Sequence, residues 1–479
     1  MAQFLASAAL ALQRFETGED LRIRPRPRND FMATSTLIHE DDQGAPRRLA
    51  LRGLAKRLMA STDTHRGISA VLDQGIVSGL SFATCSIVAI ACGRFELGVA
   101  HLVLTILVLA MNVQGELVNA PFTVYRQRQH AADRAAFTGS MFVHQSWLAA
   151  LSFIGVCGYL IVLYCGIGPT HLIAPLWMLL LALPFCLMHA FLRHLAFACF
   201  QFRIALAMDI TVTWIQLGTI MALFFTGTLT VSSIFVAMGT ASAIACVAWY
   251  LVRPEPFQIV WRRSWHDWCA NWLFGRWAML SHAIGCAMTY VLPWLLAAMH
   301  DESATGTLAA CSKLSALAGT FVVGVAHYLT PKAVASYASH GLAGLHRVLG
   351  VTAGVFVSAV GLFCLIVLVT GDTLLTALFG NEFAGAGAVA SVLSLAVLLN
   401  SLAVVAGNAL WAIDRPQANL IGDVAALLAT LVAAVWLVGC WGALGAAVAI
   451  LVGGGVGAVV RGTTFWILSQ RIAAAAEGV

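Results

Sequence analysis

From residue 66 onward this chain is a succession of apolar runs, each about 20 residues long, which is the length a helix needs to cross the hydrocarbon core of a bilayer. The runs fall at 69–92, 97–119, 138–164, 171–199, 205–226, 230–252, 276–299, 304–328, 347–370, 385–411, 418–438 and 441–467. Apolar residues make up 60% of the chain and charged ones 10%, against about a quarter charged in an ordinary soluble domain. The mean hydropathy is +0.86. The expectation is an all-α polytopic membrane protein with about 12 transmembrane helices.

The charges test this parse independently, because Lys and Arg gather in the cytoplasmic loops. Arg126, Arg128, Arg134, Arg203, Arg253, Arg262, Arg263, Lys332, Arg347, Arg415 and Arg471 all fall on one side of the twelve spans. The opposite loops hold Asp301, Glu302, Asp372 and Glu382, with Arg94 as the positive exception. Both termini are therefore expected inside. The net charge of +5 does not point to nucleic acid, because eleven of the 27 Lys and Arg residues precede residue 70.

Residues 1–65 read as a polar, basic cytoplasmic tail, with RIRPRPRND, EDDQG and APRRLALRGLAKRL too broken to bury a core. The stretch 47–59 has the pattern of a basic amphipathic helix on anionic headgroups. MAQFLASAALAL mimics a signal sequence but lacks a basic leader. A start at Met32 or Met59 is the alternative to a translated tail. The C-terminus, 472–479, is a short cytoplasmic end.

The chain also repeats itself. Sliding residues 407–426 back by 214 positions lays Trp411 on Phe197, Ala412 on Ala198, Leu420 on Leu206 and Asp423 on Asp209. Gly75 with Gly275 and Pro121 with Pro331 are further landmarks. An even number of spans per half, each half starting inside, gives two six-helix lobes, 66–252 and 276–471, related by a pseudo-two-fold axis along the membrane normal. Between them, 253–275 carries Trp261, Trp265, Trp268 and Trp272 at helical spacing, which predicts an interfacial amphipathic linker helix.

Ionisable groups inside a span cost about 2.5 to 3.5 kcal/mol on insertion scales and mark functional sites by default. Lys313 lies a third to half of the way into the eighth span, too deep to snorkel easily. Arg193 with His194, Arg276 and Arg461 lie nearer span ends, where they either snorkel to headgroups or border a cavity. Asp73 and Glu116 are candidates for a coupling proton or cation. Asp209 and Asp423 read as helix caps or as partners of nearby Arg residues. The twelve cysteines lack C-x-x-C spacing and read as packing residues. The fourteen His show neither H-x-x-x-H nor H-E-x-x-H, so no metal is expected, and no cofactor. GALGAAVA at 442–449 and GGGVG at 453–457 lie inside an apolar span and read as close helix packing. With no P-loop or G-x-S-x-G, transport would draw on gradients or on removal of product.

The set DQGIVSGLSFATCSIVA, GRFELG, NAPFTVY, LFGNEFAGAGAVASVLSLA, WAIDRPQANL and WGALGAAVA resembles the polysaccharide flippase branch of the multidrug/oligosaccharidyl-lipid/polysaccharide exporter superfamily, over 66–470. The resemblance implies a V-shaped transporter of two six-helix lobes that moves undecaprenyl-pyrophosphate-linked oligosaccharide units across the bacterial cytoplasmic (inner) membrane by alternating access, for exopolysaccharide, capsule or O-antigen synthesis. Its partners would be the lipid-linked oligosaccharide, membrane lipids and other polysaccharide assembly proteins. Lys313, Arg193, Arg276 and Arg461 are then the candidate cationic cavity. The alternatives are a cation-coupled multidrug antiporter of the same superfamily, or a membrane polysaccharide polymerase or ligase; an enzyme would need a sizeable outer loop, and none is present here.

Overall fold

A computed structural model describes the backbone of residues 62–126, 129–252, 255–415 and 417–477. The expected tail, its signal-like start and its amphipathic helix at 47–59 lie outside the described residues. All regular structure among the described residues is helical.

Three helical runs are too long for one crossing, namely Thr62–Gln114, Glu302–Phe379 and Gln417–Glu477. Each is broken by one glycine with positive φ, Gly93 at 84°, Gly341 at 61° and Gly442 at 54°, a conformation open to glycine because it has no Cβ. Divided there, the described chain has twelve membrane-length helices. They are α1 (62–92), α2 (94–126), α3 (Arg134–Tyr164), α4 (Ile173–Ala198), α5 (Phe202–Phe225) and α6 (Val231–Val252). The second six are α7 (Trp261–Met299), α8 (302–340), α9 (342–379), α10 (Gly387–Ala412), α11 (417–441) and α12 (443–477). Most outrun the apolar segments that announce them, so their ends project past the hydrocarbon.

Glycines set how closely the arms of a hairpin approach. A Cβ on Gly453 would meet Thr430, one on Gly457 would meet Ala426, and one on Gly422 would meet Arg461. Each pair is centred on the bond between Trp441 and Gly442, so α11 and α12 pack antiparallel in one register, and the glycine-rich stretch serves packing as its composition suggests.

The buried core divides in a way that gives the molecule its shape. One apolar cluster joins both lobes, containing Leu102 and Phe235 of the first with Leu308, Phe379 and Ala446 of the second. Most of its members lie toward the end of the helices marked by the turns at Gly93, His300 and Gly380. Toward the opposite end the lobes have separate cores, Phe122, Phe191 and Trp249 in the first and Leu329, Phe356 and Leu410 in the second. The lobes are fused at one end and divided at the other, which is a V.

The linker helix runs unbroken into the seventh span as α7. Its amphipathicity is inverted relative to a soluble helix. Trp261 and Trp265 are 70% and 71% exposed, while Ser264 and Asn271 are buried against α3. There His144 Nε2 lies 2.8 Å from the Ser264 carbonyl oxygen and Asn271 Nδ2 3.3 Å from His144 Nδ1. Arg263 is paired with Asp133 at 2.6 Å. Polar groups hold the helix to the first lobe, and its indoles face outward, where a Trp sits well at headgroup level.

Candidate functional site

Lys313 extends from α8 of the second lobe into a cavity of about 200 Å³ whose other walls belong to the first lobe. Ser81, Thr84 and Cys85 of α1, His101 of α2, Gln216 of α5 and Phe235 of α6 line it. Eleven residues from the start of α8 place Lys313 about 16 Å down the helix, near mid-membrane. Its Nζ donates to Ser81 Oγ at 2.7 Å. The partner is a neutral hydroxyl, and no carboxylate lines the cavity among the described residues. Thr84 Oγ1 in the same wall is buried with no hydrogen-bond partner.

A second cavity, about 420 Å³, lies inside the second lobe between α7, α8, α10 and α12, with α2 reaching its edge. Its polar lining is Ser312, Ser315, Asn400 and His101, and Ser315 Oγ also meets Ser394 Oγ at 3.3 Å. Pro293, inside α7, faces this space. His101 lines both cavities.

The other three candidate cations do not join Lys313. Arg193 Nε is 2.5 Å from Asp209 Oδ2, and His189 Nε2 lies 3.5 Å from the other carboxylate oxygen. Arg461 is ion-paired with Asp423. These are the carboxylates expected to have Arg partners, but the partners come from α4 and α12, not from the nearby Arg203 and Arg415. Arg276 is exposed on α7, beside Gly275, which rests on the Glu116 carbonyl. Glu116 itself lies in a single π-turn, Gly115–Asn119, within α2. Asp73 is on α1, and its side chain lies outside those described.

At the fused end the lobes are clasped by groups that read from sequence only as topology markers. The Arg94 backbone N–H donates to Glu382 Oε2 at 2.7 Å, and Glu302 Oε1 lies 2.8 Å from His171 Nε2. Helices α2 and α8 cross at Gly98 and Gly306, where a Cβ would lie 1.8 Å from the Glu302 carbonyl oxygen or 2.0 Å from that of Arg94. The sequence signal for His101, missed as a candidate, is a single imidazole in the apolar run LGVAHLVLTILVLA.

No family model and no curated protein sequence matches the chain. Solved structures do match. A multidrug resistance MATE family transporter in its inward-facing conformation aligns over 82% of this chain and 94% of its own, at 14% identity and TM-score 0.66. This is the fold of the MOP-superfamily transporters. Lipid II flippase MurJ, inward closed, shares the MOP fold over 83% of this chain and 86% of its own, at 13% identity and TM-score 0.65. An outward-facing structure titled as a MATE transporter of the MOP superfamily gives 0.55, at 14% identity over 84% of this chain and 94% of its own. The V and the paired six-helix lobes are thus those of the MOP fold.

Proposed function

We propose that this chain is a flippase that carries a lipid-linked oligosaccharide across the bacterial inner membrane, head group between the lobes and lipid tail in the bilayer. The observation that carries this reading is Lys313, a cation at mid-membrane depth, standing between the lobes with a neutral hydroxyl as its hydrogen-bond partner. A charge held at membrane depth without a countercharge is costly unless an anion completes it. A pyrophosphate linked to a sugar and an isoprenoid supplies that anion, and cannot itself cross an apolar medium unaided.

The rule that positive loops stay inside orients the molecule. It puts Arg203, Arg263 and Arg415 at the cytoplasm and the clasp of Glu382 and Glu302 at the outer face. The V then opens inward, the state in which a lipid loaded on the cytoplasmic leaflet enters. Rocking of the lobes, with release of the clasp, exposes Lys313 to the outer side. Lipids, the lipid-linked substrate and other polysaccharide assembly proteins are the partners this reading implies.

A cation-coupled multidrug antiporter fits the same fold, but a cavity for organic cations calls for carboxylates, and neither cavity is lined by one among the described residues. The test is export of polysaccharide in a deletion strain complemented with Lys313→Ala at matched expression. Loss of export, with lipid-linked units accumulating on the cytoplasmic face, supports the reading; full export overturns the role of Lys313.

A further inference from the structure

His101 stands at the junction of the two cavities, on a first-lobe helix, opposite a cation from the second lobe. Apart from it, the titratable side chains lining either space among the described residues are Lys313 on α8 and Cys85 on α1. The faces that α5, α6, α7, α10 and α12 turn to these spaces are uncharged, with Gln216 and Asn400 their polar members. The imidazole faces an ammonium and no carboxylate lines its space among the described residues, so an anion must come from a ligand.

We propose that His101 is the second arm of the anion site and takes up one proton when the lipid pyrophosphate binds. This rests on the flippase reading and gives it a coupling step. A pyrophosphate esterified at both ends carries about two negative charges, which Lys313 alone does not balance. An anion between the two side chains favours the imidazolium, which donates to a phosphate oxygen, and the site becomes electrically neutral. The proton comes from hydronium in the open cavity: one imidazole N–H bond forms, one O–H bond breaks, and the bonds of the lipid pyrophosphate do not change. Because the two arms belong to different lobes, the bound anion ties the lobes together until it leaves, and the proton leaves with it. Binding is therefore linked to pH: affinity rises as pH falls, and the gain is lost as pH rises past the point where the complex no longer holds its proton.

The experiment uses the full chain in nanodiscs and a synthetic farnesyl-pyrophosphoryl monosaccharide, whose phosphodiester groups do not titrate over the histidine range of about pH 5 to 8. Calorimetric titration in buffers of different ionisation enthalpy reads protons taken up per ligand. The wild type is expected to take up about one proton and to bind up to about tenfold more tightly per pH unit lowered. His101→Gln binds more weakly with uptake near zero and a flat pH profile. His101→Lys, which carries the charge permanently, binds with no uptake, so the outcome does not hinge on one variant folding. Wild-type binding without proton uptake, or equal uptake in His101→Gln, overturns the proposal and leaves the flippase reading standing. A wild type that does not bind the probe at all overturns both.

Discussion

Arg193 and Asp209 stand eight residues on either side of Gln201 and are ion-paired at 2.5 Å. Asp423 and Arg461 stand nineteen residues on either side of Gly442 and are likewise paired. In an antiparallel helical hairpin, positions equally far from the turn lie side by side, so each pair is a consequence of the hairpin that carries it. The two carboxylates occupy equivalent places in the repeat, yet one takes its cation from the helix before it and the other from the helix after.

These pairs hold helices together. Asp209 is 3% exposed, and removing its charge leaves the Arg193 guanidinium without this carboxylate. Asp209→Asn is expected to cost about 3 kcal/mol, read as a lower melting temperature in detergent. The double variant Arg193→Met, Asp209→Leu is expected to recover most of that loss and to retain export. Loss of export in a stable double variant would place Arg193 in the transport path after all.

Two contacts between the lobes at the fused end, Arg94 N–H to Glu382 and His171 to Glu302, are expected to favour closure there. Glu382→Ala removes the acceptor for the Arg94 N–H, and Glu302→Gln weakens the contact with His171. Glu382 and the His171 that faces Glu302 are exposed, so each contact is expected to be worth about 1 kcal/mol, a roughly fivefold shift toward a state open at this end. Spin labels on the two lobes, measured by pulsed distance spectroscopy, read that shift. An unchanged distance distribution in the double variant contradicts the clasp.

Closure at the same end needs the glycine crossing. Gly98→Val places a side chain where a carbonyl lies 1.8 Å from the new Cβ, which backbone cannot yield without separating α2 from α8. The expected outcome is a folded protein that no longer closes there, seen as cysteine accessibility near Gly93 rising severalfold, with export lost. Normal export by Gly98→Val would show that the lobes do not need this approach.

Much of the architecture was legible because membrane physics leaves few choices. Apolar run lengths gave the twelve helices, and the matching of Asp209 with Asp423 gave the duplication. The three glycine corners are where helical runs too long for one crossing turn back. The site was legible only in part. Lys313 stood out by depth, which sequence records directly. Arg193 and Arg461 looked similar by depth, but their pairing depends on hairpin register, and the sequence-local reading favoured Arg203 and Arg415. His101 escaped notice because one imidazole in an apolar run carries no spacing pattern; what distinguishes it is that α2 and α8 approach closely at Gly98 and Gly306. The linker Trp residues were visible as a stripe, but that the buried side of that helix is polar follows from what α3 offers it at Ser140 and His144.

The central claim is that the cation at Lys313 binds the charged head of a lipid-linked sugar. The most direct measurement is transbilayer movement of a fluorescent polyprenyl-pyrophosphoryl sugar in proteoliposomes reconstituted with wild type, Lys313→Arg and Lys313→Ala at equal protein density. The account predicts movement by the wild type, partial movement by Lys313→Arg, and a fall of at least about tenfold in Lys313→Ala, the scale of losing one charge-assisted contact. Equal rates in all three would contradict it.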